Sequence, residues 1–165
     1  NNIIFLNYSS KIQKFLFWCQ QLIAESLGKK NFGFLPVISN VPKDHHSLLQ
    51  LYLDGPNDKI FNIFSLKEKS KVKINTKKLR SKNILNNKDI NRVKNAQKKA
   101  LIKVFKEKKI PYREIKISTS NEEVLGKLFA YFIIETILIA KLTNINPFDQ
   151  PAVEKVKLYT RKILT

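Results

Sequence analysis

The sequence predicts an α/β layered domain, helices packed on a mostly parallel sheet, with residues 1–165 forming a single unit. Three observations predict it. Short apolar runs alternate with longer stretches whose apolar residues recur at three- and four-residue steps. A length of 165 residues with 43% hydrophobic content is enough for one sizeable core and excludes wholesale disorder. No internal repeat and no Gly/Ser-rich linker divides the chain.

The elements follow in order. From about Ser9 to Gly28, Ile12, Phe15, Leu16, Cys19, Leu22, Ile23 and Leu27 mark one face of a helix, with Ser9 or Ser10 as its cap and Gly28 as its stop. Phe34–Ile38 is a short apolar run, and Pro36 confines it to a sheet edge or a strand end. His45 to Tyr52 reads as a helix, with Asp44 as N-cap and Gly55-Pro56 closing it. Lys59–Leu66 is apolar and partly alternating, a strand. Lys67 to Asn87, rich in Lys, Asn and Ser, has the weakest pattern and reads as an extended excursion or surface insertion. Asp89 to Lys108 is a helix with Ile90, Val93, Ala96, Leu101, Val104 and Phe105 as core candidates. Tyr112–Ile117 alternates as a strand behind Pro111. Ser120 and Glu123 have the spacing of a capping box and open a long helix to about Leu142. Its apolar run is broken by Lys127, Glu135 and Lys141, which argues for a buried helix and against a membrane span. Asn144–Gln150 is a polar loop, and Ala152–Ile163 a terminal helix.

The net charge is +18, from 31 Lys+Arg against 13 Asp+Glu. Charge alone invites a nucleic-acid or anionic-membrane reading. The excess is mostly Lys, accompanied by many Asn and Ile, a mixture that reads as AT-biased coding and not as a dedicated phosphate-binding face. The single cysteine, Cys19, precludes an intrachain disulfide and favours a reducing, cytoplasmic compartment. Lying among Phe15, Phe17 and Trp18, it reads as a small core residue and not as a nucleophile. With only 4 Gly the chain has no glycine-rich phosphate loop, and with no Met it suggests a piece of a longer protein.

Three stretches set polar groups in an apolar frame. Gln21 and Glu25 are four residues apart on one helical face, and the adjoining Ser26-Leu27-Gly28-Lys29 suggests a chain reversal that leaves Glu25 at a rim of the sheet. His45 and His46 are neighbours pointing about 100° apart on a helix, unsuited to chelating one metal, although imidazole is well placed to move protons near neutral pH. Gln150 stands just before the terminal helix and Lys157 in its second turn. Each has an ordinary alternative: a solvated carboxylate, two exposed histidines at a helix start, and a solvated ammonium like Lys155 and Lys162. No Cys or carboxylate cluster stands at ligand spacing, so no metal site is expected.

Jointly, the stretches resemble glucose-6-phosphate isomerases. Those enzymes carry an aromatic-bearing helix running into Gln-Leu-x-Ala-Glu-Ser-Leu-Gly-Lys, then His-Ser, Gln and Gly-Pro, and near the C-terminus Asn-Pro-Phe-Asp-Gln followed by Val-Glu and a Lys. Here the same order is met by Tyr8, Phe15, Trp18 and Gln21–Lys29, then His46-Ser47, Gln50 and Gly55-Pro56, then Asn146–Gln150, Val153-Glu154 and Lys157. The resemblance implies a three-layer sandwich like a sugar-isomerase (SIS) domain. It also implies interconversion of glucose 6-phosphate and fructose 6-phosphate without metal or cofactor. By the same resemblance Glu25 is the base that moves a proton between C1 and C2, and His46, supplied by the partner subunit of a dimer, assists ring opening together with Lys157. Gln21 and Gln150 line the substrate site.

The family's Ser/Thr-rich phosphate pocket and its Gly-Gly-Arg segment do not occur here; Arg80, Arg92, Arg113 and Arg161 all lack that context. The expectation is therefore the C-terminal part of such an enzyme, working with a missing N-terminal domain and inactive alone. The rival expectations are a stand-alone, non-catalytic sugar-phosphate-binding domain and a basic nucleic-acid binder.

Overall fold

The structure, a computed structural model, describes residues 2–68, 70, 72–76 and 84–165. Four strands, β1 (Asn2–Asn7), β2 (Leu35–Asn40), β3 (Lys59–Leu66) and β4 (Tyr112–Ile117), pair in the order β2-β1-β3-β4, all parallel. Six α-helices connect or follow them: α1 (Gln13–Leu27), α2 (Lys43–Ser47), α3 (Leu49–Asp54), α4 (Ile90–Glu107), α5 (Glu122–Leu142) and α6 (Pro151–Leu164).

The expected α/β sandwich with a parallel sheet is present. The pleat sends alternate residues of β1 into two separate cores. Ile3 and Phe5 join α1 and α5 residues on one face, while Ile4 and Leu6 join Tyr52, Leu101 and Phe105 on the other. The first face is largely aromatic: Phe5 meets Phe64 at 5.7 Å between ring centroids, and Phe15 meets Phe132 at 5.7 Å. Such edge-on contacts add to what burial of the rings already contributes. Cys19 is fully buried on this face, and burial pushes its thiol pKa up, as suits a core residue.

β3 and β4 match the sequence expectations, and β2 lies at an edge, where Pro36 removes no ladder bond from a second neighbour. β1 is an addition to those expectations. Its continuous run Ile3-Ile4-Phe5-Leu6 lacks a period of two because both faces of a central parallel strand are covered.

Several local features differ from the sequence reading. The expected His45–Tyr52 helix is two helices meeting at Leu48. Asp44 is not their cap; it lies inside α2, and its carboxylate reaches back to accept from the Asn40 backbone N–H at 2.7 Å. Helix α5 is capped by Asn121, whose side chain accepts from Val124 N–H at 3.1 Å, in place of Ser120. It buries Phe132, Thr136 and Ala140, but Ile134, Leu138 and Leu142 remain exposed. On α4, Asp89 caps the helix, Leu101 and Phe105 are buried as expected, and Ile90 and Ala96 are exposed. Among the described residues no helix is long and apolar enough to cross a membrane. The Lys-rich stretch 67–88, with Arg80, lies partly outside the described residues; within them Ile74 exchanges backbone hydrogen bonds with Asn87 and Lys88, at 2.8 and 3.0 Å.

Candidate active site

Helix α1 runs antiparallel to the strands, so its C-terminal turn stands at the amino rim of the sheet. Glu25 lies on that turn, half-buried. The chain then reverses through Lys29–Phe32, whose backbones bond each other at 3.0 and 2.9 Å. Lys30 (φ 53°) and Asn31 (φ 58°) both sit in the left-handed region, the conformation of a type I′ turn. Gly33 follows at φ 148°, where a Cβ would lie 3.0 Å from Gly28 Cα, so glycine is required there.

The turn sets Glu25 against the loop between α5 and α6. Gln21 Nε2 donates to Glu25 Oε1 at 3.1 Å, and Gln150 Nε2 donates to Glu25 Oε2 at 3.0 Å. Each carboxylate oxygen thus holds one amide, one from its own helix and one from a segment far away in sequence. Two clefts meet on this pair. One, of about 510 Å³, is bordered by Ala24, Lys29, Asn146, Asp149 and Ala152; the other, of about 400 Å³, by Trp18, Gln21, Thr136 and Phe148. Glu25 and Gln150 line both. A carboxylate fixed in direction and open on two sides is suited to taking a proton from one carbon and returning it to the next.

Lys29 adds a cation to the rim. Its Nζ donates to the Asn146 carbonyl at 2.5 Å and to Asp149 at 2.9 Å. That hydrogen bond and charge hold the Asp149 carboxyl below the usual carboxylate range. Sequence spacing carries no signal for this contact, since its partners lie on elements at opposite ends of the chain.

The remaining sequence-predicted residues stand elsewhere. Lys157 projects from the second turn of α6, exposed, paired with Glu154 at 2.7 Å, and lines neither cleft. His46 is exposed on α2, beyond the C-terminal end of β2 and therefore at the opposite, carboxyl rim. Its neighbour His45 is held inward, Nε2 at 3.1 Å from the Tyr8 hydroxyl. Arg92, Arg113 and Arg161 border neither cleft. Arg113 is instead locked between Glu135, Asn62 and Tyr131 beneath α5. Among the described residues no three His, Cys, Asp or Glu side chains are grouped as a metal ion would need.

No family model matches the chain. It is similar to proteins called glucose-6-phosphate isomerase or probable glucose-6-phosphate isomerase in three microorganisms. The Methanococcus maripaludis protein is 36% identical over 98% of this chain. The Methanocaldococcus jannaschii protein is 33% identical over 93%, and that of Campylobacter jejuni 32% identical over 99%. The chain spans 36%, 38% and 41% of those relatives, well under half of their length. Among solved structures, a hypothetical protein of Thermus thermophilus is 28% identical with a TM-score of 0.88, covering 99% of this chain and 41% of that one. A glucose-6-phosphate isomerase of Chlamydia trachomatis superposes with a TM-score of 0.78 at 16% identity, covering 99% and 34%, and supports the fold alone.

Proposed function

This chain is a homologue of one stretch of the glucose-6-phosphate isomerases, and we propose that it forms the C-terminal, sugar-isomerase-like part of such an enzyme. The reaction is the interconversion of glucose 6-phosphate and fructose 6-phosphate, a step of glycolysis and gluconeogenesis. The observation that carries this reading is the Glu25 carboxylate, steered by the Gln21 and Gln150 amides at the junction of two clefts.

Glu25 takes the C2 proton of the open-chain aldose, leaving an enediolate, and returns it to C1 to form the ketose. The neutral Gln21 and Gln150 amides orient it without supplying a counter-charge. Lys157 and His46 open the pyranose ring by handling the protons at O5 and O1. Within one copy, His46 stands at the rim opposite Glu25, which supports a homodimer in which each copy lends its histidine to the other. We assign the phosphate pocket and the cation that stabilises the enediolate to a further, N-terminal part of the enzyme: Arg92, Arg113 and Arg161 border neither cleft, and the cations that border one, Lys29 and Lys30, are turned to Asp149 and to the Asn146 and Asn144 carbonyls. The buried free thiol of Cys19 fits a cytoplasmic setting.

Solvent-deuterium incorporation at C2 of the sugar phosphate, followed by NMR, tests the assignment in the native protein. Glu25→Gln is expected to slow exchange by about 10³-fold, within the usual range for a lost general base. Substrate affinity, measured by calorimetry, should change little. Exchange at the wild-type rate in that variant removes Glu25 from the role.

A further inference from the structure

Lys29 is not used by the chemistry above, yet it joins the two halves of the site. It stands four residues after Glu25, just past the end of α1, where the negative pole of the helix favours a cation. Its backbone is fixed on both sides by the bonds to Phe32. Its side chain is only 11% exposed, shielded where most lysines are solvated. The ammonium meets two acceptors of different kinds, the Asn146 carbonyl at 2.5 Å and the Asp149 carboxylate at 2.9 Å. The Asn146 side chain in turn accepts from the Phe148 N–H at 3.1 Å, tightening the same segment. One cation therefore ties the Asn146 backbone to the Asp149 side chain, in the segment that leads into Gln150. Helix α6, which carries Lys157, begins at Pro151, directly after this segment.

Resting on the reading of Glu25 as the base, we propose that Lys29 is a positioning residue: by gripping residues 146–149 it sets where Gln150 meets Glu25 and how α6 leaves the site. The Asp149 carboxylate is 54% exposed, and an ion pair to it would be too loose for this alone; the hydrogen bond to the Asn146 carbonyl supplies the direction. A shielded ammonium shared between a carbonyl and a carboxylate is directional and short.

The test uses the native protein. Lys29→Met keeps most of the stem and removes the charge; Lys29→Arg keeps the charge. Lys29→Met is expected to lower kcat/KM by about tenfold to a hundredfold, the scale of a small misplacement at a reacting centre, and Lys29→Arg to recover most of it. In a Gln150→Ala background the same Lys29→Met change should cost less than about threefold, because the contact it positions is already gone. Fully additive effects overturn the proposal. Glu25→Gln is the reference arm. Retained exchange there overturns the reading of the base, whereas loss there with additive Lys29 and Gln150 effects overturns only the positioning role. Amide hydrogen exchange gives a readout independent of activity. At residues 146–151 it should speed up about tenfold in Lys29→Met and not in Lys29→Arg. Unchanged exchange overturns the proposal whatever the activity does. Asp149→Asn repeats this measurement if Lys29→Met does not fold.

Discussion

At the scale of single residues, polar groups are placed by partners that local sequence does not announce. Lys98 falls on a helix face that pattern alone would leave in solvent, yet it is buried, donating to Ser65 Oγ at 2.9 Å and to Glu114 at 2.7 Å. His45 is a second case. Burial lowers its imidazole pKa, with Asp44 opposing the shift, and the Tyr8 ring packs edge-on at 5.8 Å. A depressed folded-state pKa means that folding favours the neutral ring. The stability tied to it is present above the unfolded value of about 6.5 and is lost as pH falls through the lower folded value. Urea midpoints at pH 7.5 and 5.5 should therefore separate more for the wild type than for His45→Gln. Equal separation for both would show that His45 does not titrate with folding.

At the scale of elements, α5 is defined by what each side touches. Phe132 is fully buried in the aromatic core, while Ile134, two residues on, is 57% exposed. Phe132→Ala should cost about 3–5 kcal/mol in chemical denaturation, for lost transfer energy and the cavity left behind. Ile134→Ala should cost no more than about 0.5 kcal/mol. Similar costs at both positions would mean that the helix is rotated from the orientation described. This sidedness was only partly legible in the sequence. Strands β3 and β4 were legible to the residue because alternation and flanking Pro or Gly bound them. β1 was not, since a run covered on both faces carries no period. The split at Leu48 and the cap at Asn121 are decided by backbone geometry and by a competing side chain, as where Asp44 bonds Asn40 instead of capping. In the site, Gln21 beside Glu25 follows from helical spacing. Gln150 beside Glu25 follows from no local rule and was reached only through the resemblance of whole segments. The same resemblance points to Lys157, which in the structure turns to Glu154.

At the scale of the whole molecule, the two rims of the sheet divide the proposed chemistry. Glu25, Gln21 and Gln150 gather at the amino rim, and His46 stands at the carboxyl rim. If two copies exchange histidines, a Glu25→Gln protein and a His46→Ala protein, each nearly inactive, should complement when dissociated and reassociated together. One of the two sites in each mixed dimer then regains an intact pair, so activity should approach about a quarter of wild type for random twofold pairing. Activity that stays at the level of the separate variants would place both residues in the same copy. Salt sensitivity from the net charge of +18 should affect both variants alike and leave this comparison intact.

The central position of β1 also bears on how the chain assembles. Among the described residues the outer strands of the sheet carry guards, β2 in Pro36 and β4 in Arg113, Glu114 and Lys116. The inner strand β1, Asn-Ile-Ile-Phe-Leu-Asn, has no such guard, and neither of its flanks is covered until β2 and then β3 have arrived. Until then a short, uncharged, strongly β-forming segment offers two open hydrogen-bonding edges to any neighbour. A strand that joins two neighbours in the described sheet is therefore also open to misassociation while the chain folds.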